Sequence, residues 1–291
     1  MEAIKEKLIF LIGKGFLGTK LVSVFKEKGI KVITADIAGK VDYSLDVTDE
    51  QSMIYLFKDL DPDIVFWAGG MANVDYCETE KEKAFEVNVE GTRNIVDSCR
   101  AFNSKLVFFS TDYVFDGIKG NYLEKDKVNP LNFYGKTKVH GEKLVKDLDN
   151  YILARVSSLY GFNSKKDKKN FVCHTIDELK NNNEFLVANL INCPTLIDDV
   201  AEAIFIMLEK EFSGLFHVCG SEASSKYNLI RKVCDVFDLD FSLVKQVPLI
   251  KHWKAKRPLN SSLDITKIQL QGIKMSSIEE GLINMKKQMK L

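Results

Sequence analysis

The sequence predicts an α/β fold: a Rossmann-type, doubly wound parallel sheet with a smaller interwoven α/β lobe for substrate. Three observations predict it. Short apolar runs alternate with amphipathic helical stretches through the first half of the chain. Those runs are apolar throughout, as strands covered on both faces must be, and do not alternate apolar with polar. A G-x-G-x-x-G turn closes the first of them, at the point where a helix begins.

The elements follow in order. Residues 8–12 (LIFLI) form a short buried strand. Residues 16–28 place Leu17, Leu21, Val24 and Phe25 on one helical face, and Gly29 ends that helix. Residues 31–36 (KVITAD) are a second strand, 49–60 a helix, and 63–68 (DIVFWA) a third strand before Gly69-Gly70. Residues 80–102 read as one long helix with Phe85, Val89, Ile95, Val96 and Cys99 inward. A strand at 105–110 (KLVFFS) leads into a polar loop over 112–130, a helix over 131–149 and a strand over 151–156. The charged run SKKDKKN at 164–170 reads as solvated surface. Beyond it, helices at 198–210 and 226–237 mix with short strands such as 215–218. The pattern divides the chain into a cofactor domain over 1–157, with 195–220 returning to it, and a substrate lobe over 158–194 and 221–291.

Composition narrows the function. Lys+Arg and Asp+Glu both number 41, a balance that argues against a nucleic-acid binder. No apolar run nears the 18 or so residues of a membrane span, so a cytoplasmic location is expected. The 6 cysteines form no C-x-x-C pair and only 4 histidines accompany them, so no metal site is expected.

The glycine turn carries the first chemical signal. Gly13 permits the tight turn, Gly15 lets backbone approach a pyrophosphate, and Gly18 lets helix and strand pack closely. Phe16 and Leu17 open the helix, whose free N–H groups and dipole favour phosphate. Asp36 stands 21 residues after Gly15, where a carboxylate accepts hydrogen bonds from the adenosine ribose and repels a 2′-phosphate. This favours NAD(H). The cation of Lys14 keeps NADP(H) open. Asp46 and Val47 are candidates to lie over the adenine, with a turn or cap role for Asp46 as the alternative. Ala68, Gly69 and Gly70 follow the third strand and complete the expected cofactor wall.

The second signal is Tyr134 and Lys138, a Y-x-x-x-K pair on one helical face. A nearby ammonium lowers a phenol's pKa and makes it a usable proton relay. Thr111 follows the KLVFFS strand, at the edge where a parallel sheet binds its ligands, and can hydrogen-bond the same carbonyl oxygen.

Together these residues resemble the extended short-chain dehydrogenase/reductase family. STDYVFDG (110–117), NPLNFYGKTKVHGE (129–142), RVSSLYG (155–161), CPT (193–195) and RPLNSSLD (257–264) are similar to its dTDP-4-dehydrorhamnose reductase branch. The resemblance implies reduction of a 4-keto-6-deoxy sugar nucleotide, with Thr111 as carbonyl donor, Tyr134 as proton donor and Lys138 as ribose anchor. It implies substrate contacts from Asp112, Tyr113, Asn73, Val74, Ser157, Arg257 and Ser261, and it puts Asn88 beneath the site. Related 4,6-dehydratases read T-D-E where this chain reads Thr111-Asp112-Tyr113, which argues against dehydration. An epimerase of the same family and a non-catalytic, cofactor-binding regulatory subunit remain as alternatives. Glu279 and Glu280 are a poor substitute for the acidic metal contact of some relatives, so the oligomeric state, a homodimer included, is open.

Overall fold

The structure is a computed structural model that describes residues 2–162, 170–248 and 250–290. Apart from Asn170, the charged run at 164–170 therefore lies outside the described residues.

Seven strands form the central sheet: β1 (Ile9–Ile12), β2 (Val32–Asp36), β3 (Tyr43–Ser44), β4 (Ile64–Trp67), β5 (Lys105–Thr111), β6 (Tyr151–Val156) and β7 (Gly214–His217). Their order is β7-β6-β5-β4-β1-β2-β3, and every pairing is parallel. The chain runs outward from β1 to β3, returns to β4, and runs outward the other way. The reversal opens a crevice between the carboxyl ends of β1 and β4, where ligands of such sheets bind.

Successive strand residues face opposite sides. Ile9 and Leu11 join a core built with α1 (Phe16–Glu27), whereas Phe10 and Ile12 join one built with α2 (Glu50–Leu60), α3 (Gly91–Ala101) and α4 (Phe133–Val145). Strand β6 and strand β7 pair Leu153 with Leu215, so a segment far along the chain closes the sheet. After β6 come α5 (Phe171–Lys180), α6 (Ile197–Glu209), α7 (Lys226–Phe237) and α8 (Ile278–Gln288). Helix α6 covers the same sheet face as α1. Helices α5, α7 and α8 enclose a separate apolar cluster around Tyr160, Ile176, Val233 and Leu282. Glu280 closes a capping box with Ser277 at the start of α8, which gives this acid a local structural job.

Two expectations fail locally. The long helix at 80–102 is interrupted by a π-helical turn at Glu86–Glu90. Such a turn inserts about one residue and rotates the preceding stretch by roughly 100°. Phe85 is thereby turned outward and is 38% exposed, while Val89, Ile95, Val96 and Cys99 are buried as expected. The 112–130 loop is not uniformly polar. Phe115 and Tyr122 are buried within it and stack at 4.1 Å. That loop also pairs with the distant segment 257–264: Tyr122 N donates to Ser262 O at 2.9 Å, Asp264 N to Tyr122 O at 2.8 Å, and Asn260 N to Gly117 O at 3.0 Å.

No described helix is long and apolar enough to cross a membrane.

Candidate active site

A cavity of about 670 Å³ occupies the crevice. One wall is the glycine turn. Gly13 adopts φ 92°, and a Cβ there would lie 2.2 Å from Gly69 N, so two backbones meet where only glycine fits. Gly15 caps α1 without any side-chain hydrogen bond, and the first turn holds no acid. A Cβ on Gly15 would face open space. The helix therefore presents unmet N–H groups at Phe16 and Leu17 to a cavity, which is what an anionic pyrophosphate requires. Gly18 does not line the cavity. Its missing Cβ admits Gly13 O at 2.2 Å, the close helix–strand contact expected of it.

Asp36 lines the far end of the same cavity. Its Oδ2 accepts from Lys14 N and its Oδ1 from Ile37 N, both at 2.7 Å. The carboxylate thus locks the glycine turn to β2 and keeps lone pairs for a ribose. Lys14 Nζ reaches Lys40 O at 2.7 Å. Asp46 and Val47 also line the cavity. Asp46 accepts from Thr48 N and Thr48 Oγ1, which hold its carboxyl below the usual range. Its turn role and its place at the cavity are both real.

Ala68, Gly69 and Gly70 form the floor. Asn88, inside the π-helical turn, holds them. Its Oδ1 accepts from Met71 N at 2.7 Å, and its Nδ2 donates to Met71 O and to Thr137 Oγ1, both at 3.0 Å. One side chain therefore fixes the loop after β4 to the helix bearing Tyr134 and Lys138.

Tyr134 and Lys138 reach the cavity from α4, and Thr111 ends β5 beside them. Asn132 caps α4 by accepting from Gly135 N at 2.8 Å, which sets where Tyr134 enters. Burial pushes the Tyr134 phenol up, and the hydrogen bond to the Thr111 hydroxyl opposes that only in part. Desolvation is the dominant influence on the phenol. A neutral phenol is a proton donor, the form a reduction needs. Burial likewise lowers Lys138 to about 8, against the opposing charge of Glu142. Its ammonium stands 4.3 Å from the Phe108 ring centre.

Glu142 had no assigned role, yet it is four residues beyond Lys138 on the same helix face. Its Oε1 accepts from Arg155 Nε at 2.8 Å and from Ser110 Oγ at 2.6 Å, and its Oε2 from Arg155 Nη2 at 2.7 Å. Arg155 Nη1 also approaches His217 Nε2 at 3.4 Å. The acid thus ties α4 to β5, β6 and β7 directly under the reacting groups.

The expected substrate residues divide. Tyr113 stays at the site, its ring 6.3 Å from that of Tyr134. Asp112, Ser157 and Ser261 are not on the cavity surface. They are buried in one another: Ser157 Oγ and Ser261 Oγ donate to Asp112 Oδ2 at 3.1 and 2.5 Å. Asn73 caps the short helix that Val74 begins. Arg257 does not offer its fork to the cavity. Nη2 bonds Asp75 Oδ2 at 2.9 Å, Nη1 bonds Ala255 O at 3.0 Å, and the guanidinium lies 4.9 Å from the Trp253 ring.

A reversed-order parallel sheet, an uncapped glycine turn at the reversal, and Thr111, Tyr134 and Lys138 at its mouth define a Rossmann-type short-chain oxidoreductase. More narrowly, the chain belongs to the family described as the RmlD substrate binding domain, whose model matches residues 6–291. It is 31% identical to dTDP-4-dehydrorhamnose reductase of Aggregatibacter actinomycetemcomitans, over 96% of this chain and 98% of that protein. It is also 31% identical to methionine adenosyltransferase 2 subunit beta of Rattus norvegicus, over 79% of this chain and 71% of that one. Among solved structures, a hypothetical dTDP-4-dehydrorhamnose reductase from Sulfolobus tokodaii has TM-score 0.84 and 34% identity, covering 90% of this chain and 94% of that one. The dTDP-4-dehydrorhamnose reductase of Bacillus anthracis, solved with NADP, has TM-score 0.86 and 28% identity, covering 96% and 98%.

Proposed function

We propose that this protein reduces the keto group of a nucleotide-linked 4-keto-6-deoxy sugar with NAD(P)H. The observation that carries the proposal is that Tyr134 and Lys138 line a cavity whose opposite wall is the uncapped glycine turn, with the Thr111 hydroxyl hydrogen-bonded to the Tyr134 phenol. The nicotinamide dinucleotide supplies the hydride. Phe16, Leu17 and Gly15 would hold its pyrophosphate, Asp36 its adenosine ribose, Asp46 and Val47 its adenine, and Lys138 its second ribose. Ala68, Gly69 and Gly70 keep the floor flat enough for the dinucleotide to lie on. Thr111 orients the keto oxygen through its hydroxyl, and Tyr134 holds the proton that this oxygen receives. The lysine ammonium steadies the phenol oxygen after it gives up that proton.

Asp36 repels a 2′-phosphate, so NADH is the favoured reductant. Lys14 beside it keeps NADPH usable, and the Bacillus anthracis relative was solved with NADP. In this reading residues 1–157 and 195–220 carry the cofactor, residues 158–194 and 221–291 carry the sugar nucleotide, and the reaction takes place in the cytoplasm. The test is oxidation of NADH and NADPH against a panel of 4-keto sugar nucleotides. Stoichiometric oxidation supports a reductase. Interconversion of sugars without net oxidation makes the chain an epimerase.

A second reading has its own support in the likeness to methionine adenosyltransferase 2 subunit beta. It makes the chain a cofactor-binding regulatory partner. Co-purification with a stoichiometric enzyme partner, and no turnover of any keto sugar nucleotide, would favour it.

A further inference from the structure

Thr111 has one hydroxyl hydrogen, and Asp112, the Tyr134 phenol oxygen and an incoming keto oxygen compete for it. Tyr113 N donates to Thr111 Oγ1 at 3.2 Å, which occupies one lone pair. Asp112 Oδ1 lies 3.1 Å from the same oxygen. On the other side of that carboxyl, Oδ2 already receives Ser157 and Ser261. Ser157 Oγ accepts from Cys193 N at 3.3 Å, so its own hydrogen is free to point at Asp112. An ionised carboxylate accepts only, and would draw the Thr111 hydrogen onto Oδ1. The hydroxyl could then not donate to a keto oxygen. A proton on Oδ1 reverses the bond: the acid donates to Thr111 Oγ1, and the threonine hydrogen is released towards the substrate.

We infer that Asp112 acts as a neutral acid whose proton sets the direction of the Thr111 hydrogen bond, making it a positioning residue for keto reduction. The inference rests on the reductase reading for its catalytic consequence, but not for the protonation state itself. The surroundings fit a neutral acid. The carboxyl is 3% exposed, and burial moves it above the usual carboxylate range. Hydrogen bonds from Ser261, Ser157 and Thr111 oppose that, as does the ammonium of Lys226, which bonds Ser158 Oγ. The other titratable groups facing it are the phenols of Tyr113 and Tyr134 and the thiols of Cys193 and Cys219. Phenols and thiols are neutral or negative, so none of the four supplies a further cation there.

Two substitutions and one spectroscopic measurement test this. Asp112→Asn copies the neutral acid, since an amide oxygen serves the serines while its N–H serves Thr111. Ser261→Ala removes a donor to the charged form and raises the Asp112 midpoint. The infrared difference between wild type and Asp112→Asn, taken without substrate, should show one carboxylic-acid carbonyl band at neutral pH that disappears as pH rises. In wild type, kcat/KM for keto reduction should fall with that band, to about a tenth one pH unit above the midpoint. Ser261→Ala should move band and rate together to higher pH, and Asp112→Asn should lack this limb. No acid band at neutral pH overturns the inference, as does a rate that holds steady while the band is lost. If the band titrates but no keto sugar nucleotide is reduced, the reductase reading fails and the assignment of the proton stands.

Discussion

Replacing Glu142 with Gln removes one charge and leaves its partner in place. Arg155 is 1% exposed, and its Nε and Nη2 both bond the Glu142 carboxylate. The variant keeps the shape but strands a guanidinium in the interior. Breaking a buried pair from one side costs about 3–5 kcal/mol. For a chain of this size each kcal/mol lowers Tm by roughly 2–4 °C, so the expected drop is about 10 °C. Scanning calorimetry and urea midpoints measure it. The control is the double variant Glu142→Leu with Arg155→Met, which removes both charges and should recover most of the loss, because replacing a whole buried pair with apolar groups is often close to neutral. A functional signature accompanies the stability change. The carboxylate of Glu142 raises the Lys138 pKa against the lowering by burial, so its loss moves the lysine below about 8. Activity that depends on the ammonium falls as pH rises through that value, so the Lys138 limb, which is separate from that of Asp112 and persists in Asp112→Asn, should move to lower pH in Glu142→Gln. A single variant that loses under about 1 kcal/mol, or a double variant no more stable than the single, would refute the argument that the pair is held by mutual neutralisation.

Three further outcomes are expected. Tyr134→Phe should keep cofactor binding, read by fluorescence titration, and lose about 10²–10⁴-fold in kcat for keto reduction; undiminished turnover removes Tyr134 from its role. Gly13→Ala puts a Cβ 2.2 Å from Gly69 N at φ 92°, a strain of about 1–3 kcal/mol that should weaken dinucleotide binding at least tenfold while Gly29→Ala, which meets no neighbour within 4 Å, should not. His217 is fully buried, and burial lowers it from 6.5 to about 4. Its folded-state pKa is below the unfolded one, so its share of stability is present above pH 6.5 and is lost as pH falls towards 4. That share is on the order of 3 kcal/mol, and urea midpoints at pH 7 and pH 4.5 should converge in His217→Gln relative to wild type.

The sheet was legible because its strands are buried on both faces, which leaves unbroken apolar runs such as LIFLI and KLVFFS. Gly13, Gly15, Asp36, Tyr134 and Lys138 were legible because backbone approach and helical spacing constrain residue type locally. What escaped depends on contacts between distant segments. Ser261 reaches Asp112 across 149 positions and Ser157 across 45, and no local pattern marks three buried polar residues as partners. Arg257 was expected to touch the substrate, but Asp75, 182 positions away in sequence, occupies its guanidinium. The π-helical turn at Glu86–Glu90 was hidden for a different reason: a helical repeat read over 80–102 assumes constant pitch, and a single inserted residue leaves composition untouched.

The pairing of loop 112–130 with segment 257–264 bears on how the protein is made. Gly117 and Gly120 have no room for a Cβ because Pro258 and Asn260 lie 2.5 and 2.2 Å away, so the two stretches fit only against each other. During synthesis the sheet strands β1 to β6 emerge long before residue 257. The nascent chain can collapse into a covered sheet and offer the glycine turn early. Thr111 waits: the hydroxyl of Ser261 that holds Asp112 beside it leaves the ribosome 149 residues after that acid. A prematurely terminated product would keep the dinucleotide cleft and lack an ordered catalytic loop, binding cofactor without using it.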